Sequence, residues 1–269
     1  MGVGDALMAS GEVRELRKDK PDYKFIIGDG RRSYWNEVFD NNPYIIRGSE
    51  INNYKNVLWI DNYEGNRPYR NYGDHLPKNN YNWKNSFKPK KGEIFFTKEE
   101  IEFSNLAILN IRKKIGKKKL IFIEPYIKKR LGYQNRDWGK NNWQKVVQSL
   151  KDEYEFIHLT YGDNQPLDNC INIHGLNFRY SVAIMSNCDF FLGPEGGMHH
   201  AAAATDKNAV VIFGGHISPN ITGYDFHTNI YVDINKSPCG EKNICTHCKE
   251  CMGLISYGTI IKKIKENLN

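Results

Sequence analysis

The segment 189–204, DFFLGPEGGMHHAAAA, constrains this chain more than any other. Asp189-Phe190-Phe191-Leu192 reads as a buried strand, Gly193-Pro194 ends it, and Gly196-Gly197 opens an alanine-rich helix. A short apolar run bounded by glycine and proline is the pattern of a strand covered on both faces. Glycine at the turn lets a ligand approach the backbone without side-chain bulk. The helix start presents unpaired N–H groups and a positive dipole end, a seat for an anionic or polar ligand. Glu195 stands at the mouth, placed to accept from a ligand hydroxyl or to cap the helix. An ordinary strand–turn–helix joint of an α/β domain has the same pattern, and this segment alone does not separate the two.

Strands and helices alternate along the rest of the chain. Apolar runs at 23–27, 56–60, 93–96, 120–123, 154–159, 170–173 and 209–213 read as strands. Helical spacing covers 5–18, 33–39, 98–114, 143–150, 180–186 and 259–268. Such alternation implies parallel sheets with right-handed crossovers. The lysines at 113–114 and 117–119 mark a joint, which divides the chain into an amino-terminal unit 1–116 and a carboxy-terminal unit 117–269. The stretch 61–91 reads as one long irregular loop, a length that is usually functional or disordered. Its aromatics Tyr63, Tyr69, Tyr72, Tyr81 and Trp83 either stack on sugar rings or pack the loop onto the domain; packing is the expectation for most.

A chain of 269 residues with 40% hydrophobic residues can bury one large core or two small ones. It has no apolar run of membrane-spanning length and no basic-then-apolar leader, so a cytoplasmic protein is expected. The net charge of +7 favours acidic partners such as phosphates, nucleotides or lipid head groups. The lysine runs also read as a solvated surface. There is no zinc-finger, RNA-recognition or helix-turn-helix signature, and no nucleic-acid partner is expected.

Of the six cysteines, Cys170 and Cys188 are isolated and read as buried thiols. Cys239, Cys245, Cys248 and Cys251 cluster as C-x5-C-x2-C-x2-C. Without a secretion signal, metal or free thiols are favoured over disulfides. Four thiolates at this spacing suit a structural zinc that pins the helix 259–268, with an iron–sulfur site as the second reading.

Four motifs, in chain order, carry a resemblance. They are Gly2-Val3-Gly4-Asp5-Ala6-Leu7-Met8-Ala9, then Arg136-Asp137-Trp138 with Trp143, then the segment 189–204, then Cys251-Met252 followed by Ile255. In this register the chain resembles glycosyltransferase family 9, the group of the bacterial lipopolysaccharide heptosyltransferases. The resemblance implies an α/β fold of GT-B type, with two Rossmann-like domains whose parallel sheets face a cleft. It further implies inverting transfer, without a catalytic metal, from a nucleotide-sugar to a surface glycan or lipopolysaccharide-type acceptor. An ADP-sugar is the first donor to consider, the acceptor is a glycan or glycolipid, and peripheral contact with the inner face of the membrane is expected.

By the same resemblance Asp5 is the catalytic base; on its residues alone it reads as the cap of the first helix. Donor binding falls to Arg136, Glu195, Gly196, Gly197 and His200, and acceptor binding to Gly4, Arg67 and Tyr69; Lys128 and Lys129, after Pro125, read either as further cations for the donor phosphates or as a solvated loop. His199 is an additional histidine, read as a packed residue. Glu195 stands where the family pattern has Asp. The family pattern also has a hydrophobic strand immediately before the Gly-x-Gly-Asp turn. This sequence opens at Met1-Gly2, so the first amino-terminal strand is expected to be missing. The competing reading is a non-catalytic nucleotide- or glycan-binding protein of degenerate transferase fold.

Overall fold

The computed structural model describes residues 1–268 except 62, 64, 128–132 and 163. The chain enters helix α1 (Val3–Asp19) and then a parallel pair of strands, β1 (Lys24–Gly28) and β2 (Val57–Asp61). The stretch 65–97 carries only isolated bridges and leads into α2 (Lys98–Ile115). A capping box starts α2: Thr97 Oγ1 accepts from the Glu100 N–H at 3.1 Å, and the Glu100 carboxylate accepts from the Thr97 N–H at 2.8 Å. Arg112, Lys113 and Lys114 complement the dipole in its last turn, and Gly116 closes it in a left-handed conformation.

The remaining elements are β3 (Lys119–Ile123), α3 (Lys140–Leu150), β4 (Tyr154–Thr160), β5 (Ile171–His174), α4 (Phe178–Ser186) and β6 (Phe190–Pro194). After these come α5 (Gly197–Ala204), β7 (Ala209–Gly214), α6 (Pro219–Thr222), β8 (Thr228–Tyr231), α7 (Thr246–Leu254) and α8 (Tyr257–Leu268). Among the described residues these strands form one parallel sheet in the order β5-β4-β3-β6-β7-β8. This is the doubly wound order, and its direction reverses between β3 and β6, where the carboxyl ends of neighbouring strands diverge and leave a crevice.

Strand alternation assigns the two cores. Leu120 and Phe122 of β3 join Phe191, Val211 and Phe213 in the core on one side. Ile121 and Ile123 join Phe190, Leu192, Val210 and Ile212 on the other, under Trp143, Val147, Ile260 and Ile264 of α3 and α8. Each such buried side chain contributes roughly 1.5–3 kcal/mol. The first core also takes in Ala6, Leu7, Ala9 and Val13 of α1 and Phe25 and Ile27 of β1. Apolar packing is therefore continuous across the expected boundary at 116/117.

The crossing of α1 and α5 depends on two glycines. A Cβ on Gly197 would lie 2.5 Å from Val3 Cγ2, and one on Gly4 would lie 2.9 Å from His200 Cδ2. The two motifs that bear these glycines are thus in direct contact.

Arg179 of α4 ties this half of the chain to the amino-terminal half. Its guanidinium donates to both Glu100 carboxylate oxygens at 2.7 Å, to Phe95 O at 2.7 Å and to Glu37 O at 3.0 Å. This network corrects the strand expected at 93–96, which is irregular. Instead of pairing with a neighbouring strand, its backbone bonds side chains: Glu93 N donates to Ser10 Oγ and Phe95 O accepts from Arg179. The helix expected at 33–39 is also shorter, a single 3-10 turn at Glu37–Phe39 capped by Asn36 rather than Ser33. Within the cysteine-rich tail, α7 is a helix that spacing alone did not reveal.

Candidate functional site

A cleft of about 530 Å³ lies at the crevice between β3 and β6. One wall is the start of α1 with Arg67, Tyr69, Arg70, Tyr81 and Trp83 of the long loop. The other is Glu124 and Tyr126 after β3, Arg136, and the turn from Pro194 to Gly197 with His200. Gly4, Asp5, Arg67, Tyr69, Arg136, Glu195, Gly196, Gly197 and His200, all expected from the sequence, therefore line one cavity. Lys128 and Lys129 lie outside the described residues.

Asp5 is not a cap. The helix begins at Val3 with Gly2 as its N-cap, and Asp5 falls inside the first turn. There its charge suits the positive end of the helix. It is 7% exposed, and both carboxylate oxygens have partners: Tyr69 Oη donates to Oδ1 at 2.7 Å and Arg67 Nε to Oδ2 at 3.0 Å. The loop that supplies these partners is held by its own aromatics. The Tyr69 ring lies 6.3 Å from Trp83 and 5.9 Å from Phe87, and Arg70 covers Tyr81 at 4.2 Å. Tyr63 is buried and donates to Glu12 at 3.0 Å. Tyr63 thus packs into the core, while Tyr69, Tyr81 and Trp83 pack on one another and also line the cleft.

On the opposite wall, Glu195 does not cap α5 with its carboxylate. Its carboxylate makes an ion pair with Arg136 and accepts from Thr222 Oγ1 at 3.4 Å, and Arg136 also reaches the Glu195 carbonyl at 3.2 Å. Helix α5 starts at Gly197 after the N-cap Gly196, which makes no side-chain cap bond, and Gly196, Gly197 and Met198 line the cleft, where the first N–H groups of a helix lack intrahelical partners. His200 Nδ1 lies 2.9 Å from Tyr224 Oη, and burial lowers the imidazole to about 3, so the ring is neutral. His199 is fully buried among His200, Phe213, Tyr224 and His227, the packed position expected for it.

Glu124 was not singled out by its sequence context. It follows β3 at the switch point, is 8% exposed, and is pushed up to about 8 by burial, against the Tyr126 N–H that it accepts at 3.1 Å. It lines the cleft as a neutral acid at pH 7. A carboxylate directly after an apolar strand, in Ile123-Glu124-Pro125, was the available signal.

Two groups of side chains have the chemistry of metal ligands. Glu195, His199 and His200 bring ligand atoms within 4.8 Å of one another, but Arg136 already neutralises Glu195 and opposes a second cation. Cys239, Cys245, His247 and Cys248 also converge within 4.8 Å, and all six cysteines are free thiols. Cys251, expected as the fourth member, lies one helical turn on, facing His247 at 3.6 Å and Ser237 at 3.9 Å. Cysteine spacing alone does not point to the histidine in Cys245-Thr246-His247-Cys248.

This architecture is that of GT-B glycosyltransferases. The crystal structure of a glycosyl transferase family 9 protein from Veillonella parvula superimposes with a TM-score of 0.69 at 13% identity, covering 99% of this chain and 94% of that one. The Escherichia coli ADP-heptose lipopolysaccharide heptosyltransferase II superimposes with a TM-score of 0.63 at 12% identity, covering 99% and 96%. No family model and no curated protein matches the sequence. The superpositions span nearly the whole chain, and the α/β class and the parallel sheets expected from the resemblance are present among the described residues. Among the described residues no helix is long and apolar enough to cross a membrane.

Proposed function

We propose that the protein is an inverting glycosyltransferase that moves a sugar from a nucleotide-sugar to a hydroxyl acceptor. One observation carries this reading: a carboxylate held by two partners, Asp5, faces the same cleft as an uncapped helix start and a cation, Arg136. In the proposed step Asp5 takes the proton of the acceptor hydroxyl as its oxygen bonds the anomeric carbon. The bond from that carbon to the phosphate oxygen breaks, and the nucleoside diphosphate leaves with the electron pair. The open amides of α5 and the Arg136 guanidinium stabilise the charge that develops there. No metal is needed in this scheme, because fixed dipoles and a cation do that work. General-base assistance of this kind contributes roughly 10²- to 10⁴-fold.

The amino-terminal unit 1–116 supplies the acceptor wall through Gly4, Arg67 and Tyr69, and the unit 117–269 supplies the donor wall. Likeness to an enzyme whose name specifies ADP-heptose makes an ADP-linked sugar the first donor to try. A lipopolysaccharide-type or other surface glycan is the corresponding acceptor class.

The test is a thermal-shift panel of ADP-, GDP-, UDP- and dTDP-sugars, followed by transfer assays on the donor that binds. Asp5→Asn is expected to keep the donor-induced shift and to lose at least about 100-fold in transfer. Equal turnover by Asp5→Asn removes Asp5 as base. A shift without transfer to any acceptor replaces the enzyme by a binding protein, and no shift with any nucleotide removes the donor site.

A further inference from the structure

The cysteine-rich tail stands close behind both walls of the cleft. Cys245 is the N-cap of α7, and His247 and Cys248 lie in its first turn. Cys239 arrives from the preceding segment, with its Sγ 3.1 Å from Cys248 Sγ. All four ligand atoms lie within 4.8 Å of one another. Tetrahedral zinc with Zn–S bonds of about 2.3 Å places its sulfurs ~3.8 Å apart, which this cluster accommodates. Three thiolates and an imidazole are soft-to-borderline ligands that select zinc over magnesium or calcium. The positive end of α7 favours the thiolate forms.

The surroundings of the cluster are built as well. Asn135, 4% exposed, receives the Cys245 N–H at 2.9 Å and donates to Glu241 O at 2.9 Å and Asn243 O at 2.7 Å. Its neighbour in the chain is Arg136, the cation of the donor wall. On the other side, Cys239 O accepts from Asn80 Nδ2 at 2.8 Å, and Gly240 O accepts from the Tyr81 N–H at 2.6 Å. The Lys242 N–H returns to Asn79 O at 3.0 Å. Gly240 has a positive φ, and a Cβ there would lie 2.2 Å from Tyr81 O, so this approach requires glycine. His216 O accepts from the Gly240 N–H at 3.0 Å and from Trp83 Nε1 at 3.1 Å, and the His216 ring meets Tyr81 and Trp83 edge-on at 6.1 and 5.7 Å.

We infer that Cys239, Cys245, His247 and Cys248 form a closed zinc site that braces the two walls of the cleft. One arm runs through Asn135 to Arg136, and the other through Cys239-Gly240 and His216 to Tyr81 and Trp83. Cys251 is not a ligand. Closing 239 to 248 with one ion fixes the segment whose backbone carries both arms.

Metal analysis of the protein purified under reducing conditions tests the site. About one zinc per chain is expected, lost in Cys245→Ser and retained in Cys251→Ser. With cobalt in place of zinc, His247→Cys is expected to keep the metal and to raise the thiolate charge-transfer band by about a third, from three sulfurs to four. Iron in place of zinc, no metal with a Cys239–Cys248 disulfide, zinc kept in Cys245→Ser, or zinc lost in Cys251→Ser each overturns the assignment.

Hydrogen exchange tests the bracing independently of any activity. Chelation is expected to speed exchange of the Tyr81, Lys242 and Cys245 amides at least about tenfold, since each of their hydrogen bonds has one end on the segment the metal holds. The Phe191 and Glu124 amides within the sheet serve as the control and are expected to stay protected. Unchanged exchange at the three amides, or uniform loss across the sheet, overturns the brace.

Discussion

The hydroxyl of Tyr69, on a loop more than sixty residues downstream, donates to the carboxylate of Asp5 at 2.7 Å inside the first turn of the first helix. Burial holds the phenol well above its ordinary value, so it remains a donor across the working pH range. Tyr69→Phe removes this bond while keeping the ring packed against Trp83 and Phe87. A hydrogen bond to a charged group is worth about 1.5–3 kcal/mol. The expected outcome is a fall of roughly tenfold or more in transfer rate with donor affinity unchanged, read as kcat against donor Kd. A loss confined to donor affinity would place Tyr69 outside the base's support.

Gly197→Ala tests the helix crossing. By helix propensity alone the change would be mildly stabilising. The added methyl meets Val3 Cγ2 at 2.5 Å, and overpacking of this kind costs about 1–3 kcal/mol. A lower denaturation midpoint is expected, with partial recovery in the Gly197→Ala/Val3→Ala double variant, which vacates the space. A neutral single variant would show that α1 slides without cost.

Glu100 and Arg179 form a buried pair whose exposures are 6% and 5%. Removing one partner from a buried ion pair costs about 3–5 kcal/mol, because the other charge is left without compensation. Glu100→Ala is expected to lower stability by that order in urea unfolding, and to speed amide exchange at 93–97, where Phe95 shares the guanidinium.

The pH dependence of stability has two opposing limbs. Glu124 is raised to about 8 when folded, so between its unfolded value near 4.5 and pH 8 the native state holds the extra proton. Its contribution is therefore full below pH 4.5 and is lost as pH rises toward 8, at about 1.4 kcal/mol per unit. His158 and His227, lowered to about 4, and His200, lowered to about 3, act the other way. They are neutral when folded, so their stability is present above pH 6.5 and is lost as pH falls through 6.5 toward 4. Glu124→Gln is expected to flatten the alkaline limb and steepen the acid one, measured by urea midpoints from pH 5 to 9. Parallel curves for the two proteins would show that Glu124 ionises normally.

Much of the carboxy-terminal sheet was legible because its strands are covered on both faces and read as continuous apolar runs. The strand at 190–194, the uncapped turn at Gly196 and the alanine-rich α5 are local features, set by residues within a few positions of one another. The run at 93–96 misled because a β pattern records apolar faces, not the presence of a neighbouring strand. Ser10 and Arg179, distant in sequence, took its hydrogen bonds instead. Glu124 was hidden for a similar reason: its neutral state comes from desolvation at a crevice that exists only once β3 lies beside β6.

The sequence by itself determined the alternation of strands and helices, the glycines where α1 and α5 cross, and which motifs bear acids, cations and thiols. These follow from backbone freedom and apolar period, which act over a few residues. Tertiary structure alone decided that Tyr69 and Arg67 hold Asp5, that Glu195 pairs with Arg136, and that His247 rather than Cys251 joins the thiols. Each of those pairings depends on the direction of a side chain across a packed interface, and only the folded backbone sets that direction.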